Sequence, residues 1–342
     1  MRADPRRFRK IIGVAALALG LLIAGVGPAP AGQRFDGLNV ITVPGHPYGS
    51  ATAKRALAAA RRLGATTVAI VPFLWQASPS DPAIGRGKDM SDAELRSAIR
   101  EARALGFSVL VKPHVWVPES WAGAVALQSE DDWRTWFASY RAALLQIATI
   151  AGEENAQALA IGTELAKTSQ RAEWFDLIAA VRAVFPGTLT YVAHNADEAE
   201  IIPFWGLLDV VGVTLYPSLG ADRDRTGRLV SMRATAKRLD QLAARTNKRI
   251  VVGEIGLRSA EGAAAKPWES AEERSAVADP LLQAQVLADW LSVLRRPSVR
   301  GVLIWRWFTD PAAGGPGDTD FTVQGKPAER VFACAWAKDC RK

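Results

Sequence analysis

Eight short apolar runs, each followed by a stretch of helical or loop-rich chain, restrict most strongly what this chain can fold into. They begin near Leu38 (LNVITV), Thr67 (TVAIVPF), Ser108 (SVLVKPH), Ala158 (ALAIGTE), Thr188 (TLTYVAHN), Leu208 (LDVVGVTLY), Arg249 (RIVVGEIG) and Gly301 (GVLIWRW). Their β-branched content marks them as strands, and runs this apolar need cover on both faces. Helical patterns fall between them, over Ala51–Leu63, Ser91–Leu105, Asp132–Ala151, Ala172–Phe185, Ser231–Ala244 and Pro280–Leu294. Ser91 and Glu94 have capping-box spacing, and Gly64 and Gly106 stand where two helices should stop. This alternation predicts an α/β protein built as a single (β/α)8 TIM barrel, a fold of about 250 residues plus loop insertions. A doubly wound open sheet is the alternative. It often has a Gly-rich first turn, and Asn39 to Tyr48 contains no G-x-G-x-x-G. The Gly/Pro/Asp-rich stretches Arg258–Ala278 and Thr309–Lys326 each follow a strand, so they read as strand-to-helix loops rather than linkers.

Residues 1–31 precede the pattern. A basic start (Arg2, Arg6, Arg7, Arg9, Lys10) leads into an apolar run from Ile11 to Val26 and then to Ala29-Pro30-Ala31. This is the layout of a secretory signal peptide. The expectation is a cleavable leader over 1–31, one domain over 32–342, and a secreted or periplasmic protein. The run is slightly short for a span of about 20 residues, and an uncleaved membrane anchor is the minority alternative. The leader holds five basic residues and one acid, Asp4, so it carries +4 of the formal +7. The remaining +3 supports no nucleic-acid partner.

Cys334 and Cys340 are the only cysteines, and an oxidising compartment favours a disulfide between them. Neither they nor the three histidines, His46, His114 and His194, have zinc-finger spacing. No phosphate-binding loop, G-x-S-x-G elbow or H-E-x-x-H pair occurs, so no metal or organic cofactor is expected.

Barrels of this kind build chemistry at the C-terminal ends of their strands. There this sequence places Trp75 on strand two, and Lys112, His114 and Trp116 with one parity on strand three. Glu164 ends strand four, His194-Asn195 strand five, Tyr216 strand six, Glu254 strand seven, and Trp305 and Trp307 strand eight. A pair of carboxylates, one protonated and one ionised, is what cleavage of a glycosidic bond requires. A salt bridge to Lys112 is the plainer reading of either glutamate. Six of the 12 tryptophans (Trp75, Trp116, Trp121, Trp268, Trp305, Trp307) lie at or just past strand ends, where flat rings suit the C–H faces of sugars. Of these, Trp307 is the best candidate for a packing residue.

At these residues the chain resembles the clan A retaining glycoside hydrolases, and more narrowly glycoside hydrolase family 113, whose characterised members are β-1,4-mannanases. The similarity covers most of residues 36–332. Its stretches are LVKPHVW (110–116), AIGTEL (160–165), YVAHN (191–195), VGVTLYP (211–217), GEIGLRSAEGAAAKPWE (253–269), LIWRWF (303–308) and DTDFTVQGKPA (318–328). The strand-seven stretch, with Pro267-Trp268, is the most specific. The resemblance implies Glu164 as acid/base, Glu254 as nucleophile, Tyr216 as its hydrogen-bond donor, and Trp305 as the aromatic beneath the cleaved sugar. It implies Lys112, His114, His194 and Asn195 as polar rim positions for substrate hydroxyls. One departure is Thr163, where many clan members place an Asn that meets the sugar 2-hydroxyl.

The reading is an exported, retaining, endo-acting β-glycosidase of mannanase type, a monomer acting on carbohydrate by two displacements. Within enzymes, the runner-up is a hydrolase of another β-glycan, such as the cell's own exopolysaccharide. A glycan-binding barrel without activity is opposed by the presence of both glutamates with Tyr216. An envelope scaffold on an uncleaved leader leaves the rim aromatics unexplained. The expectation for the two carboxyls is Glu254 ionised, held by the Tyr216 hydroxyl and nearby donors such as Lys112, and Glu164 protonated.

Overall fold

The computed structural model describes residues 34–340. The leader expected at 1–31 lies outside the described residues.

The eight apolar runs become eight parallel strands closed into one barrel, which confirms the (β/α)8 expectation. In the order of the closed sheet they are β1 (Gly37–Ile41), β2 (Thr67–Ile70), β5 (Ser108–Val111), β7 (Ala158–Thr163), β8 (Thr188–His194), β9 (Val211–Leu215), β10 (Ile250–Ile255) and β11 (Val299–Phe308), which returns to β1. The helices α1 (Ala51–Arg62), α2 (Asp92–Ala104), α3 (Glu130–Glu153), α4 (Glu173–Val184), α5 (Asn195–Ile201), α6 (Arg225–Thr246), α7 (Pro280–Val293) and α8 (Ala328–Ala337) alternate with them. Small and branched side chains (Ala69, Leu110, Ala160, Val192, Leu303) fill the barrel interior. A larger apolar shell packs between strands and helices.

Local signals act as anticipated. Ser91 and Glu94 form the capping box of α2, and Gly64 and Gly106 adopt φ of 87° and 80° past α1 and α2. Gly162 is needed for a close approach: a Cβ there would lie 2.9 Å from the Tyr191 ring and 3.0 Å from that of Trp174.

The expected second and third strands are each divided in two. The chain leaves the barrel after Ile70 and Val111, then forms β3 (Phe73–Gln76) and β6 (His114–Trp116). With β4 (Ile84–Arg86) these make a separate sheet, ordered β4-β3-β6. Pro72 and Pro113 sit at the breaks, and without an N–H neither can continue the ladder. His114 and Trp116 therefore belong to this accessory sheet and not to a barrel strand, a correction to the shared strand expected with Lys112.

Cys334 and Cys340 are joined by a disulfide, with Cα atoms 4.4 Å apart. No helix among the described residues is long and apolar enough to cross a membrane.

Candidate active site

Strand register brings the site together. His194 of β8 stands beside Thr214 of β9, and Thr214 beside Glu254 of β10. An irregularity between Val252 and Glu254 skips one residue and sets Glu254 at that level. Three polar side chains thus occupy neighbouring strands on the C-terminal rim, and Glu164 follows β7 directly.

Glu254 is buried and doubly held. Tyr216 Oη donates to its Oε1 at 2.8 Å, and the Lys112 ammonium is ion-paired with its Oε2. Burial, reinforced by the Glu254 charge, pushes the Tyr216 phenol well above its usual range, so it stays a neutral donor. Lys112 is fully buried, and its Nζ also lies 5.1 Å from the Trp305 ring centroid. With no exposed surface, Lys112 serves Glu254, as expected of a donor to an ionised carboxylate, and does not reach the rim position for substrate hydroxyls that the resemblance implied. The plainer salt-bridge reading is therefore right about the contact.

Glu164 is held by different groups. Its Oε1 lies 2.9 Å from His194 Nδ1 and accepts from Thr214 Oγ1 at 2.6 Å. Burial alone would raise this carboxyl, but His194, the nearby His114 and the Thr214 hydroxyl outweigh it and hold it well below the usual carboxylate range. Burial likewise lowers His194, and Glu164 with Glu198 more than reverses that, so the imidazole is raised. Both shifts oppose the protonated Glu164 that the sequence leads one to expect. Residues 30 apart in sequence form this pair, which left no local signal.

Asn195 completes the rim from within. Its Nδ2 lies 3.0 Å from His194 Nε2, and its Oδ1 accepts from the Tyr216 amide at 2.8 Å. The structure thus places Asn195 as a brace between the His194 and Tyr216 strand ends, where a substrate hydroxyl was expected. Glu164 and Asn195 both have φ of 55°, an uncommon conformation for residues with side chains and one concentrated at functional sites. Thr163 turns away and donates to the Pro113 carbonyl at 3.0 Å.

The accessory sheet forms an aromatic wall. Phe73 pairs with His114 and Trp75 with Trp116, so all four side chains share one face. The Trp75 and Trp116 rings lie 6.0 Å apart and are 44% and 49% exposed. His114 Nδ1 is buried with no hydrogen-bond partner among the described residues, and burial lowers its imidazole. Trp121 packs on His194, with ring centroids 4.7 Å apart. Trp305 is half-buried beside Lys112. Trp268 is exposed on the β10–α7 loop and, among the described residues, stacks on no other ring. That loop is anchored by fully buried Arg258, which donates to the carbonyls of Thr319, Ser270 and Arg274. Trp307 is buried and donates to the Ala56 carbonyl, as a packing residue should. Among the described residues, no group of three His, Cys, Asp or Glu is placed to hold a metal ion.

Thr214 and Glu198 escaped the sequence reading. Thr214 shares the parity of Tyr216 on its strand, a usable signal. Glu198 is one acid among several in a short helix and offers none.

The model of Glycoside Hydrolase Family 113 matches residues 41–326. The fold is similar to a family 113 β-mannanase of Alicyclobacillus acidocaldarius in complex with ManMIm, with a TM-score of 0.80, 24% identity, and coverage of 90% of this chain and 98% of that one. A complex of a family 113 β-1,4-mannanase is equally similar, at TM-score 0.80 and 24% identity over 89% and 99% of the two chains. A β-glucuronidase of Ruminococcus gnavus in complex with D-glucaro 1,5-lactone shares the barrel at TM-score 0.61 and 13% identity, over 89% of this chain and 49% of that one. No curated protein matches the sequence.

Proposed function

This chain belongs to glycoside hydrolase family 113 and is a glycoside hydrolase on one (β/α)8 barrel; from that premise we propose that it cleaves β-1,4-linked mannan by double displacement with net retention. The observation that carries the mechanism is the contrast between two carboxyls on one rim, Glu254 buried and Glu164 partly exposed. Glu254 faces an ammonium and a phenol, whereas Glu164 faces the His194 imidazole and the Thr214 hydroxyl.

In the first step Glu254 attacks the anomeric carbon, and the glycosidic oxygen leaves with the proton that the Glu164–His194 pair holds. The result is a glycosyl ester on Glu254 and a free sugar hydroxyl. Lys112 and Tyr216 orient the attacking carboxylate. In the second step Glu164 takes a proton from water, the water oxygen attacks the same carbon, and Glu254 leaves as carboxylate. Two inversions restore the β configuration. Acetal hydrolysis of this kind needs no metal or organic cofactor.

The mannan assignment rests on the family and on the Trp75–Trp116 wall, an apolar face suited to a chain of sugar rings. A barrel that only bound glycan would not need an ammonium buried against one of its carboxylates. Every group the reaction uses comes from one chain, so a monomer suffices. Export, through cleavage of residues 1–31, agrees with a disulfide in the body.

The test is reducing-end release from β-1,4-mannan against a panel of other β-glycans, with NMR of the first-formed anomer. Inverted product would refute the mechanism. Activity confined to another β-glycan would refute the mannan assignment.

A further inference from the structure

We propose that Glu198 is a positioning residue for acid/base catalysis, tying the strand end that carries Glu164 to the strand end that carries His194. The proposal rests on the reading of Glu164 as proton donor. Glu198 lies in α5 and is only 5% exposed. Its Oε1 accepts from Tyr191 Oη at 2.6 Å, and its Oε2 accepts from the His194 amide at 2.5 Å. The Tyr191 oxygen in turn accepts from the Leu165 amide at 2.8 Å, the residue after Glu164.

Both arms end on Glu164. One runs through Tyr191 to Leu165 and fixes the turn in which Glu164 has φ of 55°. The other fixes the His194 backbone, and His194 Nδ1 reaches Glu164 Oε1. The arms use opposite faces of β8, since Tyr191 and His194 differ in parity. Tyr191 packs outward among Trp174, Phe204 and Trp205, while His194 stands on the rim.

A carboxylate in such a shell is costly unless its acceptors are used. Burial pushes Glu198 up to about 6, although both of its donors favour the charged form. Two donors require two acceptors, which only a carboxylate supplies. In Glu198→Gln the oxygen can keep the His194 amide, but the NH2 must then donate to the Tyr191 oxygen and the phenol proton loses its acceptor, so the Tyr191 arm is weakened.

Loss of alignment at a proton donor should depend on how much the leaving group needs the proton. A sugar alcohol needs it, whereas 2,4-dinitrophenolate leaves without it. The experiment compares kcat/KM for a β-manno-oligosaccharide and a 2,4-dinitrophenyl β-mannobioside in wild type, Glu198→Gln, Tyr191→Phe and Glu164→Gln, with folding checked by circular dichroism. Tyr191→Phe keeps the packed ring and opens only one arm, so it serves if Glu198→Gln does not fold. The expected result is a loss of about 10- to 100-fold on the oligosaccharide with less than about threefold on the dinitrophenyl substrate. Equal losses on both substrates, or no loss in a folded variant, would overturn the proposal. If Glu164→Gln itself fails to separate the two substrates, the acid/base reading falls and takes this one with it.

Discussion

His194 Nδ1 lies 2.9 Å from Glu164 Oε1, and the two groups shift each other's protonation in opposite directions. The imidazole and the carboxylate thus form one coupled pair on the C-terminal rim.

That pairing predicts a titration. The ordinary imidazole value is 6.5, and His194 is raised above it by Glu164, so NMR of the His194 ring should show a midpoint above 6.5. In Glu164→Gln the largest raising influence is gone and burial remains, so the midpoint should fall. A raised imidazole adds stability below its unfolded value that is lost as pH rises through its folded value. A lowered carboxyl adds stability above its unfolded value that is lost as pH falls through its folded value. The pair should thus contribute fully between 4.5 and 6.5, the two ordinary values, and less on either side. Thermal midpoints of wild type against Glu164→Gln across pH would show whether the difference peaks there.

The two glutamates should fail in distinguishable ways. Glu254→Ala and Glu164→Ala should each lower turnover by at least about 10²–10⁴-fold while leaving the circular dichroism spectrum intact. With azide and a good leaving group, Glu164→Ala should give the β-glycosyl azide and Glu254→Ala the α-azide. The anomeric coupling of the product decides between them, and swapped azides would reverse the roles.

Lys112 and Glu254 form a buried ion pair, so removing one partner leaves the other uncompensated. Lys112→Met should cost about 3–5 kcal/mol of unfolding free energy in denaturant titration. The double variant Lys112→Met with Glu254→Gln should recover much of it, because no lone charge remains. An additive double variant would show that the pair is not coupled.

The exposed rings should act on binding and Trp305 on turnover. Trp75→Ala and Trp116→Ala should each raise KM for long oligosaccharides about tenfold, ~1.4 kcal/mol, with little change in Tm. Trp268→Ala should behave in the same way. Trp305→Ala should lower kcat more than it raises KM, since the ring packs against the Lys112 ammonium that holds Glu254. Equal effects from all four would place them in one role.

The Cys334–Cys340 bond closes a short loop after α8, so reduction should cost at most about 2 kcal/mol. Exported protein, denatured without reductant, should show no free thiol. Reducing it should lower Tm slightly and leave activity unchanged.

The sequence alone determined the barrel and the standing of both glutamates at strand ends on one rim. Hydrophobic period, glycine stops and strand-end residues are local properties, readable wherever a run of a few residues repeats a pattern. Glu164, Tyr216, Glu254 and Trp305 were legible because each ends an apolar run in which a polar or aromatic side chain has no packing reason to stand. Pro72 and Pro113 were also visible, yet their consequence, two strands diverted into an accessory sheet, depended on where the rest of the wall closed. Only the tertiary structure decided who meets whom. Lys112 and Glu254 are 142 residues apart, and their contact exists because barrel closure brings β5 and β10 around one rim. The same closure set His194 against Glu164 and withdrew Lys112 from solvent onto Glu254. Electrostatic roles depend on distances of a few ångströms between distant segments, and no local pattern encodes those distances.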